Sequence, residues 1–328
     1  MTFRTRVRFP PPPPFDPAGL RGTQPSWVRR PARVFPARCG AVLKPTAPAD
    51  RPADASPLSG AGNAAPHALW GPRIRLNPPP PGSSLPRPVN DTLGLLASNL
   101  ASVRDRIAAA EHRSGRATGS VTLIGVVKTL PAETLAAAVA LGLRDLGENR
   151  VQEAESHQHS VPFATKTAAR WHMIGHLQRN KAGRALEMFD VFHCIDDLDL
   201  ANALAQRAAK SGRRVQTLLE VNVSGESTKF GVSPEGAVEL AEQVEQLPQL
   251  ELKGLMTVGA PVERSEQARA GFAKLRELRE RVAQRLARPL PELSMGMSGD
   301  FEVAVEEGAT MVRVGSALFG ARGTHGGV

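Results

Sequence analysis

The stretch "VTLIGVVKTLPAE", residues 121–133, joins an apolar strand to the start of a helix. Its first seven residues are mostly apolar without clean alternation, which is typical of a strand buried on both faces of a parallel sheet. Lys128 follows directly, at the carboxyl end of that strand. Because burying an ammonium without a partner costs free energy, a lysine at this position needs an explanation.

Seven further apolar runs follow, with helical spacing between most neighbours. Apolar residues at intervals of three and four predict amphipathic helices over 93–110 and 264–287. Eight strands in roughly 235 residues predict an α/β fold with one domain, the (β/α)₈ TIM-type barrel, and a doubly wound open sheet is the alternative. The predicted strands are "VTLIGVV" (121–127), "RDLGE" (144–148), "WHMIG" (171–175), "VFHCI" (191–195), "VQTLLEVN" (215–222), "LKGLMT" (252–257), "ELSMG" (292–296) and "MVRVG" (311–315).

The first 90 residues differ from the rest in charge and in proline content. They hold 13 of the 41 Lys and Arg residues but only 3 of the 32 acids, a net charge of +10, and 21 of the 28 prolines. Such a segment cannot bury enough apolar surface to offset the entropy of ordering. We therefore predict a disordered Pro/Arg-rich extension over 1–90 and a barrel domain over 91–328. A biased extension without a role is the first interpretation, and a basic binding arm is the second.

The charge and the cysteine count limit the partners. Residues 91–328 carry 28 Lys and Arg against 29 Asp and Glu, a net charge of −1, so no nucleic-acid partner is expected. No apolar run reaches the ~18 residues of a membrane span, so no membrane partner is expected. Only two cysteines are present, which fits a protein of the reducing cytoplasm.

Chemistry in such a barrel sits at the carboxyl ends of the strands. After the last two predicted strands come "MGMSGDF" (295–301) and "RVGSALFG" (313–320). Glycines and helix starts in these loops can present N–H donors to a phosphate, although serines in them can also be simple helix caps. Barrel closure puts the first strand, with Lys128, beside the last. A lysine amine next to a phosphate loop indicates a phosphate-bearing aldehyde, pyridoxal 5′-phosphate (PLP).

Several histidines are candidates for other roles. Metal ligation is one such role for His172, His176 and His193, but no carboxylate or third histidine stands at a matching spacing. We therefore interpret these histidines as packing residues or as supports for other side chains. His157 and His159 fall in a polar helix end and are predicted to be solvated. No metal site is predicted.

Seven motifs in order, over about residues 92–322, resemble the pyridoxal phosphate homeostasis protein family. Proteins of that family are single (β/α)₈ barrels similar to the barrel domain of alanine racemase, and the segment 1–90 has no counterpart in them. The motifs are "VVKTLP", "LGENRVQE", "WHMIGHLQRNK", "VNVSGESTKFG", "GLMTVG", "LSMGMSGDFEVAVEEG" and "MVRVGSALFGAR".

The resemblance implies a set of cofactor-binding residues. Lys128 corresponds to the Schiff-base lysine, and His176 and Lys181 match a motif without an assigned role. The other implied roles are Ser298, Gly315 and Ser316 at the phosphate, Arg313 near the pyridine ring, Asn149 at the cofactor face, and Met256 and Met297 beside the ring.

The resemblance also separates two function classes. In the racemases of this fold a tyrosine supplies the second base, and this sequence has no tyrosine. The sequence ends eight residues after Gly320, so the second domain of those racemases is not expected. We therefore expect a PLP-binding protein of vitamin B6 and amino-acid homeostasis without turnover. The alternatives are a racemase-like enzyme and a cofactor-free Schiff-base aldolase. A monomer is expected, with PLP-dependent apoenzymes as candidate recipients.

Overall fold

The structure, a computed structural model, describes the backbone of residues 89–226, 228–259 and 263–320 and the side chains from residue 93 onward. The extension predicted over 1–90 therefore lies almost wholly outside the described residues. The first helix begins at Val89, two residues before the predicted start of the barrel domain.

Eight strands alternate with helices along the chain. The strands are β1 (Thr122–Val126), β2 (Asp145–Glu148), β3 (Arg170–Met173), β4 (Val191–Ile195), β5 (Val215–Glu220), β6 (Leu250–Met256), β7 (Glu292–Ser294) and β8 (Met311–Val314). The helices are α1 (Val89–Arg113), α2 (Ala132–Ala140), α3 (Val151–Ser160), α4 (Phe163–Ala168), α5 (Ala182–Met188), α6 (Leu198–Lys210), α7 (Ala237–Glu245), α8 (Arg269–Arg285), α9 (Phe301–Glu306) and α10 (Ser316–Phe319). All eight predicted strands are present, with ends within two residues of the prediction.

The strands form one closed, wholly parallel barrel in the order β1 to β8. Closure is made by β1 and β8, where Thr122 is paired with Met311 and Ile124 with Arg313. This confirms the (β/α)₈ barrel and sets aside the open sheet. The carboxyl ends of all eight strands consequently open at one end of the barrel, which we call the mouth.

Packing on both sides of the strands explains their apolar sequences. Outside the barrel, the helices bury one continuous apolar layer against the strands. Inside it, Val191, Leu218 and Met256 form a separate apolar cluster. Gly147 on β2 also faces inward, because a Cβ there would lie 2.9 Å from Ile124 Cγ2 and 2.8 Å from Ile174 Cδ1. Only glycine leaves room for those two side chains.

Helix α1 packs against the last elements of the barrel. Its predicted apolar stripe is buried from Leu96 to Ala110, whereas Leu93 at its start is exposed. The Asn99 amide donates a 3.0 Å hydrogen bond to the Leu318 carbonyl of α10. Arg106 forms a two-point ion pair with Glu302 of α9 at 2.9 and 2.8 Å. The helix thereby fixes α9 and α10, which follow the two loops at the mouth singled out by the sequence. Within the described part of the chain, no helix is both long and apolar enough to cross a bilayer.

Candidate functional site

Lys128 lies in a tight turn at the end of β1. The turn is closed by a 3.1 Å hydrogen bond from Leu130 N–H to the Val127 carbonyl. The lysine is half-buried. The lysine ion pairs found in the described part of the chain belong to Lys229 and Lys253, so Lys128 has no carboxylate partner there. A half-buried amine without an ion-pair partner is available for chemistry at the mouth.

The residue after Lys128 has a strained backbone. Thr129 has a φ of 63°, a left-handed conformation that a β-branched residue rarely adopts. The turn is held from outside by His157, whose Nε2 donates a 2.9 Å hydrogen bond to the Leu130 carbonyl. His157 Nδ1 is paired in turn with the fully buried Glu148 of β2. This bracing fixes the position of the lysine at the mouth.

The prediction that His157 is solvated is wrong. Its side chain is buried, and the hydrogen bond to Glu148 raises its pKa, while burial raises the pKa of Glu148. The helical period explains the error, since Val151, Ala154 and His157 fall on the face of α3 that packs on the barrel. His159 lies on the opposite face and is exposed as predicted.

The loops after β7 and β8 meet at the mouth. The Ser298 hydroxyl accepts hydrogen bonds from the N–H groups of Gly315 at 3.2 Å and Ala317 at 3.3 Å. Ser298 thus caps the start of α10 from the neighbouring loop. Among the described residues, no acceptor is bonded to the N–H of Ser316, whose side chain is exposed. Ser298, Gly315 and Ser316, the three residues predicted to receive a phosphate, therefore lie together. The Gly315 N–H is bonded to the Ser298 hydroxyl, and the Ser316 side chain is exposed to solvent.

The β8 loop also contacts the end of β1. A Cβ on Gly315 would lie 3.4 Å from Val126 Cβ and 3.6 Å from its carbonyl oxygen. The predicted phosphate loop and the Lys128 turn are therefore neighbours across the β1–β8 seam.

Arg313 of β8 is a cation inside the barrel with only 3% of its surface exposed. Its Nη1 donates to Ser294 Oγ at 2.6 Å and its Nη2 to the Thr257 carbonyl at 2.7 Å. Both acceptors are neutral. Burial lowers the pKa of the guanidinium to about 10, although the negative charges of Glu220 and Asp300 act to raise it. Within the described ranges no carboxylate is bonded to this buried cation, which suits it to an anionic or electron-rich ligand group.

Two acids lie at the mouth, Glu220 at the end of β5 and Asp196 directly after β4. Burial, with the negative charge of Asp196, raises the pKa of Glu220 to about 7, and the positive charge of Arg313 opposes the shift. Burial raises the pKa of Asp196 as well. Within the described residues, Oε2 of Glu220 and Oδ1 of Asp196 are buried without a hydrogen-bond partner. Glu220 can therefore hold or release a proton near neutral pH.

The remaining predicted residues lie around these groups at different depths. Asn149 follows β2 and is half-buried, with its backbone against Gly175, where a Cβ would lie 2.5 Å from the Asn149 carbonyl oxygen. Met256 is fully buried in the interior cluster, beneath the mouth, whereas Met297 is exposed in the β7 loop. Lys181 is half-buried in a short 3₁₀ turn after β3.

His176 belongs to the mouth, but His172 and His193 do not. The His176 ring stacks on Phe230 with 3.9 Å between centroids, and its Nδ1 lies 3.4 Å from Asp196 Oδ2. His172 and His193 are fully buried deeper in the barrel and hydrogen-bonded to each other. The supporting role predicted for histidines thus suits the two interior residues.

Comparison with known proteins supports the barrel fold. The family model for the N-terminal domain of alanine racemase matches residues 98–323. Pyridoxal phosphate homeostasis proteins of Aquifex aeolicus and Pseudomonas aeruginosa are each 43% identical to this chain, over 223 and 230 residues. The alignments cover 68% and 70% of this chain and 96% and 97% of those proteins. The chain belongs to the pyridoxal phosphate homeostasis protein family. The resemblance stated from the motifs is confirmed.

Solved structures of similar proteins share the barrel. An unknown protein from Bifidobacterium adolescentis is 40% identical, with a TM-score of 0.64 over 70% of this chain and 96% of its own. PipY of Synechococcus elongatus is 37% identical over 69% of this chain and all of its own, and its structure with PLP bound gives a TM-score of 0.59. An alanine racemase of Clostridium difficile is only 14% identical, with a TM-score of 0.55 over 71% of this chain and 57% of its own, which shows a shared fold alone.

Sequence reasoning missed four residues that surround the predicted ones: Glu148, Glu220, Thr257 and Ser294. Each is a polar residue at or next to the end of an apolar strand. A polar side chain at such a position must find a partner when the strand is buried on both faces. That rule marks these residues as candidates, but it does not name their partners, because the partners lie on other strands.

Proposed function

We propose that this protein binds PLP at the mouth of the barrel and takes part in intracellular PLP homeostasis. The single observation that carries the proposal is Lys128, half-buried and without an ion-pair partner in the described residues, next to the paired loops of Ser298 and Gly315. Family membership supports it, since the relatives are named for PLP homeostasis and PipY has been solved with PLP bound.

The residues at the mouth fit the parts of this cofactor. The hydroxyls and N–H groups of Ser298, Gly315 and Ser316 would hold the phosphate, because short polar residues and glycine let the backbone approach an anion. Arg313 would face the pyridine ring as a fixed positive charge. When bound, PLP supplies an aldehyde that condenses with a primary amine, and Lys128 is the amine we assign to it. Asn149, Met256 and Met297 would line the ring.

We further propose that the protein holds and releases PLP without turning over a substrate. Removal and return of a proton on opposite faces requires two placed bases. The sequence has no tyrosine, and burial raises the pKa of the Cys194 thiol well above its ordinary value, so that thiol is inert. His172 and His193 are both engaged inside the barrel. In this proposal Lys128 serves to bind, and the open mouth lets other amines compete for the aldehyde.

One observation favours the racemase-like alternative, namely Glu220. Its carboxyl lies at the mouth and has a pKa of about 7, which suits a general base. The rate of hydrogen exchange at the α-carbon of an amino acid distinguishes the two functions.

We also propose a cellular compartment, an oligomeric state and partners for this protein. We place the protein in the cytoplasm because two cysteines among 328 residues suit a reducing compartment. We expect a monomer that passes PLP to PLP-dependent apoenzymes, without a nucleic-acid or membrane partner. Light scattering at several concentrations tests whether the protein is a monomer. Recovery of activity by an apoenzyme mixed with the loaded protein tests whether PLP is passed on.

The experiment that tests the binding proposal is covalent labelling. Protein incubated with PLP and reduced with borohydride should carry one pyridoxyl group, located by peptide mass spectrometry at Lys128. Lys128→Ala should remove this label, and Lys181→Ala, which changes a lysine in the turn after β3, should keep it. A label at another lysine in the unchanged protein would contradict the assignment.

A further inference from the structure

A row of hydrogen-bonded polar groups crosses the inside of the barrel. Asp145 Oδ1 lies 2.9 Å from His172 Nε2, and His172 Nδ1 lies 2.9 Å from His193 Nε2. His193 Nδ1 lies 2.9 Å from Ser294 Oγ, which is bonded to Arg313. The two histidines and the serine have no exposed surface. The row therefore joins β2, β3, β4, β7 and β8, and it reaches solvent only at its Asp145 end, where 15% of the side chain is exposed.

The chemistry at the two ends fixes the direction of every bond. A guanidinium only donates, so Ser294 Oγ accepts from Arg313. Because the Asp145 carboxylate only accepts and both rings are neutral, hydrogens pass along the row toward Asp145 and the Ser294 hydroxyl gives its own hydrogen to His193 Nδ1. His193 must then carry its hydrogen on Nε2 and donate it to His172 Nδ1. His172 in turn carries its hydrogen on Nε2 and donates it to the Asp145 carboxylate. One set of tautomers, both neutral, satisfies every group in the row.

The protonation states agree with this assignment. Burial lowers the pKa of His172 and of His193, so both rings are neutral near pH 7. Burial opposes the ionisation of Asp145, but the hydrogen bond from His172 and the charge of Arg170 outweigh it, and the pKa of Asp145 is lowered. An anion at the start of the row and a cation at its end orient the neutral groups between them.

Apolar side chains would fill the inside of a barrel at lower cost in desolvation than this row. The row ends on Arg313, whose other bond goes to the Thr257 carbonyl, so two acceptors at different points hold the plane of the guanidinium. A planar group held at two points cannot turn about its own side chain. The position of Arg313 at the mouth therefore depends on residues buried well below it.

We propose that Asp145, His172, His193 and Ser294 are positioning residues that fix the orientation of the Arg313 guanidinium for the cofactor. The part of this inference that concerns the cofactor rests on the proposed function. The part that concerns the tautomers and the direction of the row stands on the protein alone.

The tautomers are tested first, in protein without PLP. Nitrogen-15 spectra of the histidine rings between pH 7 and 8 should show two buried rings that carry hydrogen on Nε2 and do not titrate. Ser294→Ala should change the Nδ1 signal of His193, because that atom loses its donor. An Nδ1–H form of either ring, or titration of either ring in this range, overturns the row as described.

The link to the cofactor is tested by a double-mutant cycle on PLP affinity. Ser294→Ala should weaken PLP binding roughly tenfold, the loss that corresponds to one hydrogen bond to a charged group. In an Arg313→Ala background the same change should have no further effect, since it acts through Arg313. Equal losses in both backgrounds would assign Ser294 a merely structural role and overturn the proposal.

Two controls separate the possible failures. The cycle is interpreted on variants whose circular dichroism matches that of the unchanged protein, and Ser294→Cys, which keeps a weak donor at this position, should lose less affinity than Ser294→Ala. If the unchanged protein does not bind PLP, the proposed function fails, and with it the role of the row toward the cofactor. The nitrogen-15 result then still decides whether the row itself exists.

Discussion

The hydroxyl of Ser298, in the loop after β7, accepts a 3.2 Å hydrogen bond from the N–H of Gly315, which follows β8. The two loops that the sequence assigns to one phosphate are thus already joined through a hydroxyl oxygen. The Ser298 oxygen accepts hydrogen bonds from two backbone N–H groups, as a phosphate oxygen does in an anion-binding loop. This contact makes the neighbouring Ser316, which is exposed, the residue at which the phosphate site can be tested most directly.

Ser316→Thr should keep PLP affinity within a few-fold, whereas Ser316→Asp should lower it by at least tenfold. Threonine keeps the hydroxyl, but aspartate places a negative charge next to the phosphate, at a cost of about 4 kcal/mol for unit charges ~4 Å apart at an effective dielectric of 20. Aspartate is favourable at a helix start, so the fold should survive the change. Fluorescence titration with PLP measures the affinity, and equal values for the two variants would place the phosphate elsewhere.

The strain at Thr129 gives a second prediction. A non-glycine residue held at a positive φ costs on the order of 1–3 kcal/mol, and glycine adopts this conformation freely. Thr129→Gly should therefore raise the free energy of unfolding by about 1 kcal/mol after the extra entropy of the unfolded chain is subtracted. Thr129→Ala keeps a Cβ and should give no such gain. Urea unfolding of both variants checks this, and a gain from alanine alone would mean that the backbone is not strained.

Sequence patterns predicted the barrel well because short apolar runs alternate with helical stretches along the chain. The runs "VFHCI" and "VTLIGVV" mark β4 and β1 with little ambiguity. Barrel closure then placed Lys128 beside the β8 loop, which the contact between Gly315 and Val126 reflects. Local periodicity, together with one rule of topology, was enough for this part of the site.

The partners inside the barrel could not be predicted in the same way. Ser294 and His193 are 101 residues apart, and the bond between them depends on the register of strands that are not neighbours in sequence. The burial of His157 depends on which face of a polar helix packs inward, and α3 has few apolar residues to mark that face. Such contacts follow from tertiary geometry, for which a single sequence carries no periodic signal.

Glu220 should make the stability of the protein depend on pH. Burial raises the pKa of this carboxyl from 4.5 to about 7, so the folded protein keeps a proton that the unfolded chain has lost. The free energy of unfolding should therefore fall by up to about 1.4 kcal/mol per pH unit as pH rises through this window. Glu220→Gln keeps the shape of the side chain without its charge. Between pH 4.5 and 8 the free energy of unfolding of this variant should fall by about 3 kcal/mol less than that of the unchanged protein.

Chemical unfolding at several pH values measures this difference. The exposed Glu235→Gln serves as the matched control and should follow the unchanged protein at every pH. Parallel curves for Glu220→Gln and the unchanged protein would mean that Glu220 ionises normally in the folded state.

The last prediction separates a carrier from an enzyme. Protein loaded with PLP and incubated with L-alanine, D-alanine, serine or threonine in deuterated water should show no enzyme-like exchange at the α-carbon. Lys128 is the one amine assigned to the aldehyde, and the sequence supplies no tyrosine for the opposite face. Proton NMR follows the loss of the α-proton signal, and borohydride labelling at Lys128 in the same sample proves that the protein was loaded. Exchange at about 1 s⁻¹ or faster, the range of ordinary enzymes, would falsify the carrier function. Loss of that exchange in Glu220→Gln would then identify Glu220 as the second base, because the variant keeps the size of the side chain and removes its ability to accept a proton.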